Sequence, residues 1–307
     1  WIVVDHYGLG SDWETIVGSA ARVLAIDDLA RPHACDALLD QTFHPEPERR
    51  YAGRIREGCR LMLGPRYALL RSEFEQVRRH AVVRDGNVQR LHVFLGGMDA
   101  GNVTETVLRA VDAVQRPDLA LDVVIGATHP ARARIQHHCA SRSGARCHVD
   151  TPDMAALLVR ADLAIGAGGT ATWERCVLGV PTFGLCLADN QRELLFQASR
   201  HGFVHAPDID FNDAEAIALH LRALLASGGL RHHLSRNGFG LVDGRGAQRV
   251  AATLLAPQIT LRRASRSDAR RLHDWRNAPS IRAVSHNAAE IPYAEHEHWL
   301  EGVLASA

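Results

Sequence analysis

Residues 161–191 read ADLAIGAGGTATWERCVLGVPTFGLCLADNQ. An apolar strand, 161–165, runs into the glycine cluster 166–169, and a helix carrying one acid, Glu174, begins a few residues later. After the Gly179-Val180-Pro181 turn a second apolar strand leads to Asp189-Asn190-Gln191. Strand, helix and strand joined by short turns make a βαβ unit, whose crossover is right-handed. In an open parallel sheet, ligands bind outside the carboxyl ends of the strands. The glycines, the acid and the two amides all stand at such ends.

The same alternation extends in both directions. Upstream, 1–5, 22–28, 34–41 and 59–64 read as strands, with helices over 11–21 and 71–81. After the polar break RDGN (84–87), six strands are expected at 91–97, 119–127, 145–150, 161–167, 180–187 and 203–207. Helices at 102–114, 153–161, 190–202, 214–227 and 246–256 complete the pattern. Alternating β and α elements argue for α/β architecture with parallel sheets covered on both faces. The expected division is an incomplete Rossmann-like domain over 1–84, a second Rossmann-like domain over 85–256, and a different segment over 257–307. That last segment opens on an Arg-rich strand, 259–265, followed by helices 267–277 and 292–304.

Composition narrows the function. Lys plus Arg equals Asp plus Glu at 35 each, so the basic excess usual in nucleic-acid proteins is missing. The longest apolar runs have strand length, well short of the roughly 20 residues that span a bilayer. With no charged-then-apolar leader at the start, a cytoplasmic protein is the expectation. The six cysteines form no CxxC pair and no zinc spacing, and read as buried reduced thiols. The chain opens on WIVVDHYG, inside a core strand and without an initiator Met, and closes on EHWLEGVLASA in or just after a helix. Such ends are expected of a piece of a longer protein.

Each candidate site residue has a plain alternative. Glycines at strand ends (Gly96, Gly97; Gly168, Gly169) let a backbone approach a phosphate, or merely make tight turns. The pair on one sheet favours the phosphate. Glu174 misses the capping-box position, which counted from Thr170 is Trp173. It either faces solvent or accepts both hydroxyls of a ribose whose diphosphate lies over Gly168-Gly169-Thr170. Asn190 either caps a helix or, with Gln191, offers neutral amides to sugar hydroxyls and acetamido groups. His6, at a strand end, fits packing better than catalysis, and His296 and His298 read as surface residues. His137-His138 and His232-His233 fit no ligand set, and no metal site is expected.

The stretch 166–191 resembles the nucleotide-binding segment of two-domain GT-B enzymes that use a UDP-sugar. With VVDHYGLGSDWE (3–14), LAIDDLARPHACDALLDQ (24–41), LGPRYALLRSEF (63–74) and FLGGMDAGNVT (94–104), it resembles the UDP-2,4-diacetamido-2,4,6-trideoxy-β-L-altropyranose hydrolases of pseudaminic acid synthesis. That likeness covers roughly 1–250 and implies a GT-B-like fold and metal-free, inverting hydrolysis of a UDP-sugar partner. It also implies that Glu174 holds the ribose, that Gly168, Gly169 and Thr170 cradle the diphosphate opposite Gly96 and Gly97, and that Tyr7 and Asn190 face the sugar. The family's general base is a His in a glycine-rich loop near the N-terminus, and no Gly-Gly-His stretch occurs here. LRRASRSDARRLHDWRNAPSIR and IPYAEHEHWL, in the tail, resemble the opening of GCN5-related N-acetyltransferases, for which acetyl-CoA would be the cofactor. The resemblances leave open a glycosyltransferase that passes the sugar to an acceptor, or a nucleotide-sugar-binding protein without catalysis.

Overall fold

The strands of residues 1–255 build two parallel sheets in the computed structural model, which describes residues 1–255, 262–283, 285 and 288–305. The chain divides into two compact units, 1–255 and 256–307.

The first sheet takes β1 (Ile2–Val4), β2 (Val23–Ile26), β3 (Ala37–Asp40) and β4 (Arg60–Leu63) in the order β1-β2-β3-β4. Helices α1 (Ser11–Gly18) and α2 (Pro47–Arg50) lie between these strands, and α3 (Ser72–Arg78) follows them. The second sheet takes β5 (Arg90–Phe94), β6 (Ala120–Ile125), β7 (Ala145–Val149), β8 (Leu163–Ala167) and β9 (Thr182–Leu185) in the order β7-β6-β5-β8-β9. Its crossovers are α4 (Val103–Ala113), α5 (Arg132–Ser141), α6 (Met154–Val159) and α7 (Ala171–Val177). Helices α8 (Asp189–Arg200), α9 (Ala214–Ala226), α10 (Gly228–Leu241) and α11 (Gly246–Leu255) follow. This order reverses direction between β5 and β8, and the crevice at such a reversal is where open α/β sheets hold ligands. The clusters 96–97 and 166–169 flank it.

Burial explains the second sheet. Leu91, Val93, Leu121, Val123 and Ile165 point to one face, against Val107, Leu108 and Val111 of α4 and Ile217 and Leu221 of α9. The apolar positions of α4 recur at helical spacing, so one stripe meets the sheet. Trp173, Cys176 and Val177 of α7 and Leu157 and Leu158 of α6 cover the other face. Each such side chain, fully buried, contributes about 1.5–3 kcal/mol. Two arginines tie the connecting segment to this domain. Arg78 donates to the carbonyls of Val177 (2.6 Å) and Phe239 (2.8 Å), with its guanidinium 3.7 Å from the Phe239 ring centre. Arg84 donates to the carbonyls of Val159 and Leu178. Helix α11 packs on the first sheet: Val250 joins Leu24, Leu39 and Met62, and the Thr253 carbonyl accepts from Arg60 at 2.7 Å.

Several sequence expectations change. The strand expected at 203–207 is a single bridge, with His205 exchanging bonds with Thr182 and Gly184 of β9. The N–H groups of Phe203 and Val204 turn back to the Ala198 carbonyl, and Pro207 has no N–H to extend a ladder. Helix α1 stops at Gly18 because the N–H groups of 19–21 close a turn on Ile16 and Val17. Asn190 is not a cap: Ala188 holds that position, and Asn190 is the second residue of α8.

In the second unit, α12 (Ala269–Asn277), α13 (Pro279–Arg282) and α14 (Tyr293–Ala305) carry the order. Ser265 and Asp268 form a capping box ahead of α12, and Asn277 exchanges two hydrogen bonds with the backbone of Ile291. Residues 259–261 of the expected strand lie outside the described residues, and 262–265 are not strand. His296 is buried against His273 and Trp299, contrary to its surface reading, because its face of α14 packs on α12.

Candidate functional site

Between the two sheets lies a cavity of about 240 Å³. One wall is Asp5, Tyr7, Asp27, Asp28, Gln41 and Thr42, all at the carboxyl ends of β1, β2 and β3. The facing wall is Gly168, Gly169, Thr170, Asn190 and Gln191, with Trp173 and Leu194 beneath. A larger hollow of about 850 Å³ sits between α4 and α5 around Arg109, Arg134 and His137. It gathers none of the sequence-predicted residues, and its Arg134 is already paired with Glu105 at 2.6 Å.

The glycine wall is shaped by a buried cation. Arg175, 1% exposed, donates to the Ala167 carbonyl at 2.7 Å and to the Thr172 hydroxyl at 3.2 Å. A methyl on Gly166 would stand 2.3 Å from its Nη1, so a side chain there would have to displace this guanidinium. Burial pulls the Arg175 pKa down to about 10, leaving it charged at neutral pH. Burial, followed by the Arg175 charge, drives neighbouring His92 down to about 3, a neutral core imidazole. Gly169 has φ +124°, a conformation side chains rarely adopt, and no atom lies within 4 Å of where its Cβ would be. Among the described residues no backbone acceptor takes the N–H groups of Gly168, Gly169 or Thr170, and the Thr170 hydroxyl makes no cap bond. Those donors are free for an anion.

The opposite wall is made of side chains. The Tyr7 hydroxyl donates to Asp28 at 2.9 Å, and Arg31 covers its ring at 5.4 Å. Burial first, then Asp28, raises the Tyr7 pKa, with the Asn190 amide opposing. Tyr7, which follows β1, and Asn190, in α8, both line the cavity. Gln191 lines it too, but its Oε1 accepts the Leu187 N–H at 3.1 Å and closes the turn into α8.

The remaining candidates stand apart. Glu174 is half-buried, does not line this cavity, and its carboxylate makes no hydrogen bond among the described residues. Burial raises its pKa, against the opposing charges of Arg175 and then Arg71. Gly96 and Gly97 end β5 beside the strand-order reversal, and the Gly97 carbonyl accepts Gly126 N–H at 3.1 Å. They also lie outside the cavity lining. His6 is exposed rather than packed, because its Nδ1 accepts the Gly8 N–H at 2.9 Å and turns the ring outward.

Sequence reasoning missed Asp27, Asp28, Gln41 and Thr42. Their signal was present: LAIDD and LLDQ end strands on polar residues just as LADNQ does. It missed the fully buried Glu14 as well. Glu14, His33 and Cys35 lie within 4.8 Å of one another, near enough to suggest a cation. Yet Glu14 Oε1 and His33 Nδ1 are 2.7 Å apart, whereas two ligands of one tetrahedral ion stand roughly 3.3 Å apart. The cluster is hydrogen-bonded instead.

No family model matches the chain. It is 28% identical over 225 residues to the spore coat polysaccharide biosynthesis protein SpsG of Bacillus subtilis, covering 71% of this chain and 64% of that one. It is 22% identical over 207 residues to the UDP-2,4-diacetamido-2,4,6-trideoxy-β-L-altropyranose hydrolase of Campylobacter jejuni, covering 66% of this chain and 72% of that one. The chain thus spans less than two thirds of the first relative. Its structure superposes on UDP-GlcNAc 2-epimerase from Neisseria meningitidis bound to UDP-GlcNAc with a TM-score of 0.54 at 14% identity, over 78% of this chain and 71% of that one. The fold is GT-B-like. In a GT-B-like molecule the cleft between the two sheets is the one place where both domains present strand ends to the same space. No helix among the described residues is long and apolar enough to cross a membrane.

Proposed function

We propose that this GT-B-like chain binds a UDP-linked 2,4-diacetamido-2,4,6-trideoxy sugar and serves its inverting, metal-free hydrolysis. The observation that carries the reading is the one cavity that Tyr7 and Asn190 line together with the open backbone of Gly168, Gly169 and Thr170. The diphosphate lies on the glycine wall, where free N–H groups favour negative charge without requiring a lysine. Glu174 accepts the ribose hydroxyls at the helix α7 side of that wall, with Gly96 and Gly97 beyond it. Tyr7, Asn190 and Gln191 read the sugar. In the reaction, water oxygen bonds to the anomeric carbon as the bond to the diphosphate oxygen breaks, and UDP leaves with that electron pair. The water proton passes to a base, a role the resemblance gives to a His of a glycine-rich loop. The residues named here bind and position.

The similarity to the Campylobacter hydrolase supports hydrolysis over transfer. Titration with UDP should saturate, and a flat titration would sink the reading. Incubation with the UDP-sugar alone should release reducing sugar; strict dependence on an added acceptor would make the protein a glycosyltransferase. For residues 257–307 the proposal is the start of an N-acetyltransferase domain using acetyl-CoA.

A further inference from the structure

Beneath the Tyr7 wall runs a chain of buried charges that the proposed reaction does not use. His33 and Glu14 have ring and carboxylate at most 1% exposed, with Nδ1 2.7 Å from Glu14 Oε1. On its other side, His33 Nε2 stands 3.6 Å from Asp27 Oδ2, an ion-pair distance just beyond a hydrogen bond. Among the described residues no other acceptor reaches that buried nitrogen. Glu14 Oε2 is fixed by the Ala34 N–H at 2.6 Å, and the His33 backbone by the Arg54 carbonyl at 2.8 Å. The imidazole therefore cannot swing away from either carboxylate. Either neutral tautomer would aim a lone pair at one of them; only the doubly protonated ring faces both with N–H.

Asp27 passes the constraint on. Its Oδ1 accepts from Arg31 Nε at 2.8 Å, and its Oδ2 from the Arg31 N–H and the Tyr51 hydroxyl, each at 3.0 Å. Arg31 then donates to the Tyr7 carbonyl at 2.9 Å and lies over the Tyr7 ring. The ionisable groups facing His33 are thus Glu14 from α1, Asp27 with its partner Arg31 from the loop after β2, and the adjoining Cys35.

We infer that His33 is a positioning residue for sugar recognition: as an imidazolium between Glu14 and Asp27, it fixes the Asp27–Arg31 bridge that sets where Tyr7 stands. The inference rests on the nucleotide-sugar reading of the cleft. It deepens that reading by separating the two walls, since the glycine wall belongs to the other sheet and does not touch this chain of bonds. His33 governs the affinity that the sugar adds, not the affinity for UDP.

Two variants divide the imidazole. His33→Asn places an amide N–H where Nδ1 was and keeps the bond to Glu14. His33→Gln reaches the Nε2 position and keeps the contact with Asp27. Calorimetric titration of the chain with UDP, and with the UDP-linked diacetamido sugar, reads both walls. Expected are UDP dissociation constants within about twofold of the unmodified protein for both variants. The extra affinity from the sugar should fall about tenfold in His33→Asn, the loss of one charged hydrogen bond, and should largely survive in His33→Gln. Equal losses in both variants, or none in either, would overturn the inference, because a purely structural histidine does not distinguish the two amides. Nitrogen NMR of the unmodified protein, labelled at histidine, gives a reading independent of variant folding. Both His33 ring nitrogens should be protonated at neutral pH, and a neutral tautomer overturns the proposal. Failure of the unmodified protein to bind UDP would instead remove the nucleotide reading and the sugar role that depends on it, whatever the NMR shows.

Discussion

Replacing Glu174 with alanine separates a binding role from a structural one. In the free protein the Glu174 carboxylate makes no hydrogen bond among the described residues, and burial raises its pKa. An acid with a raised folded pKa costs stability once the pH exceeds its unfolded value, near 4.5, and that cost disappears below it. Alanine also has the better helix propensity. Glu174→Ala should therefore leave unfolding stability at pH 7 unchanged or slightly increased, with any loss under about 0.5 kcal/mol. Binding behaves differently. A carboxylate accepting two ribose hydroxyls makes two charge-assisted hydrogen bonds of about 1.5–3 kcal/mol each. Taking the low end of both, the loss is about 3 kcal/mol, or roughly 10²-fold in Kd. The assay is calorimetric titration with UDP and with 2′,3′-dideoxy-UDP, alongside urea unfolding. The unmodified protein should prefer UDP by about 10²-fold, and Glu174→Ala should show no preference, the signature of a closed double-mutant cycle. A variant that kept the preference would refute the ribose assignment. A variant weakened equally toward both ligands and destabilised by 2 kcal/mol or more would show that Glu174 is structural after all.

Three further outcomes are expected. Tyr51 is fully buried, and its single hydroxyl stands between Asp27 Oδ2 (3.0 Å) and Asp40 Oδ2 (2.9 Å); Tyr51→Phe strips a partner from both and should cost about 2–4 kcal/mol in urea unfolding. Gly169→Ala puts a side chain at φ +124° with open space around it, so strain alone should cost about 1–3 kcal/mol in stability and UDP affinity should fall with the deformed loop. Burial is the largest single influence on Asp27 and His33 and works against their charged forms, but their contacts together outweigh it: the one between them, with Arg31 adding for Asp27 and Glu14 for His33. Asp27 is therefore held well below the usual carboxylate range and His33 is raised. The Asp27 contribution should be present above about pH 3.8 and lost toward its folded value; the His33 contribution should be present below about pH 6.5 and lost as pH rises through its own. His33→Asn should flatten the alkaline limb of the stability–pH curve, and an unchanged limb would contradict the assignment.

The fold was legible where one residue pattern had one physical meaning. Apolar runs of strand length ending in glycine, separated by amphipathic helices, admit little besides parallel sheets, and all four strands expected in the first sheet form. Strand 203–207 misled because its apolar residues look like any other edge; which N–H groups are already committed to the preceding helix is invisible in the sequence. The site was legible on its glycine side, where backbone exposure requires a particular residue type. It was less so on its side-chain side, since Asp27, Asp28, Gln41 and Thr42 become neighbours only when β2 and β3 align in register. Arg175 was hidden for a further reason. A charged residue on a short helix reads as surface, and only the missing Cβ of Gly166 makes room to bury it.

The two walls of the cleft are thus held by different physics. Arg175 braces the glycine loop from within the second domain, and its pKa of about 10 keeps that brace charged at neutral pH. The Tyr7 wall depends on an alternation of charge, Glu14, His33, Asp27, Arg31, in which the histidine is the member that loses its charge as the pH rises, its pKa raised by Asp27 and Glu14 against its burial. Losing its proton leaves one of the two buried carboxylates facing a lone pair and loosens Tyr7, while the glycine wall shares no bond with this chain of groups. Raising the pH should therefore weaken recognition of the sugar before it weakens recognition of the diphosphate, and a cleft that lost both together would not be built this way.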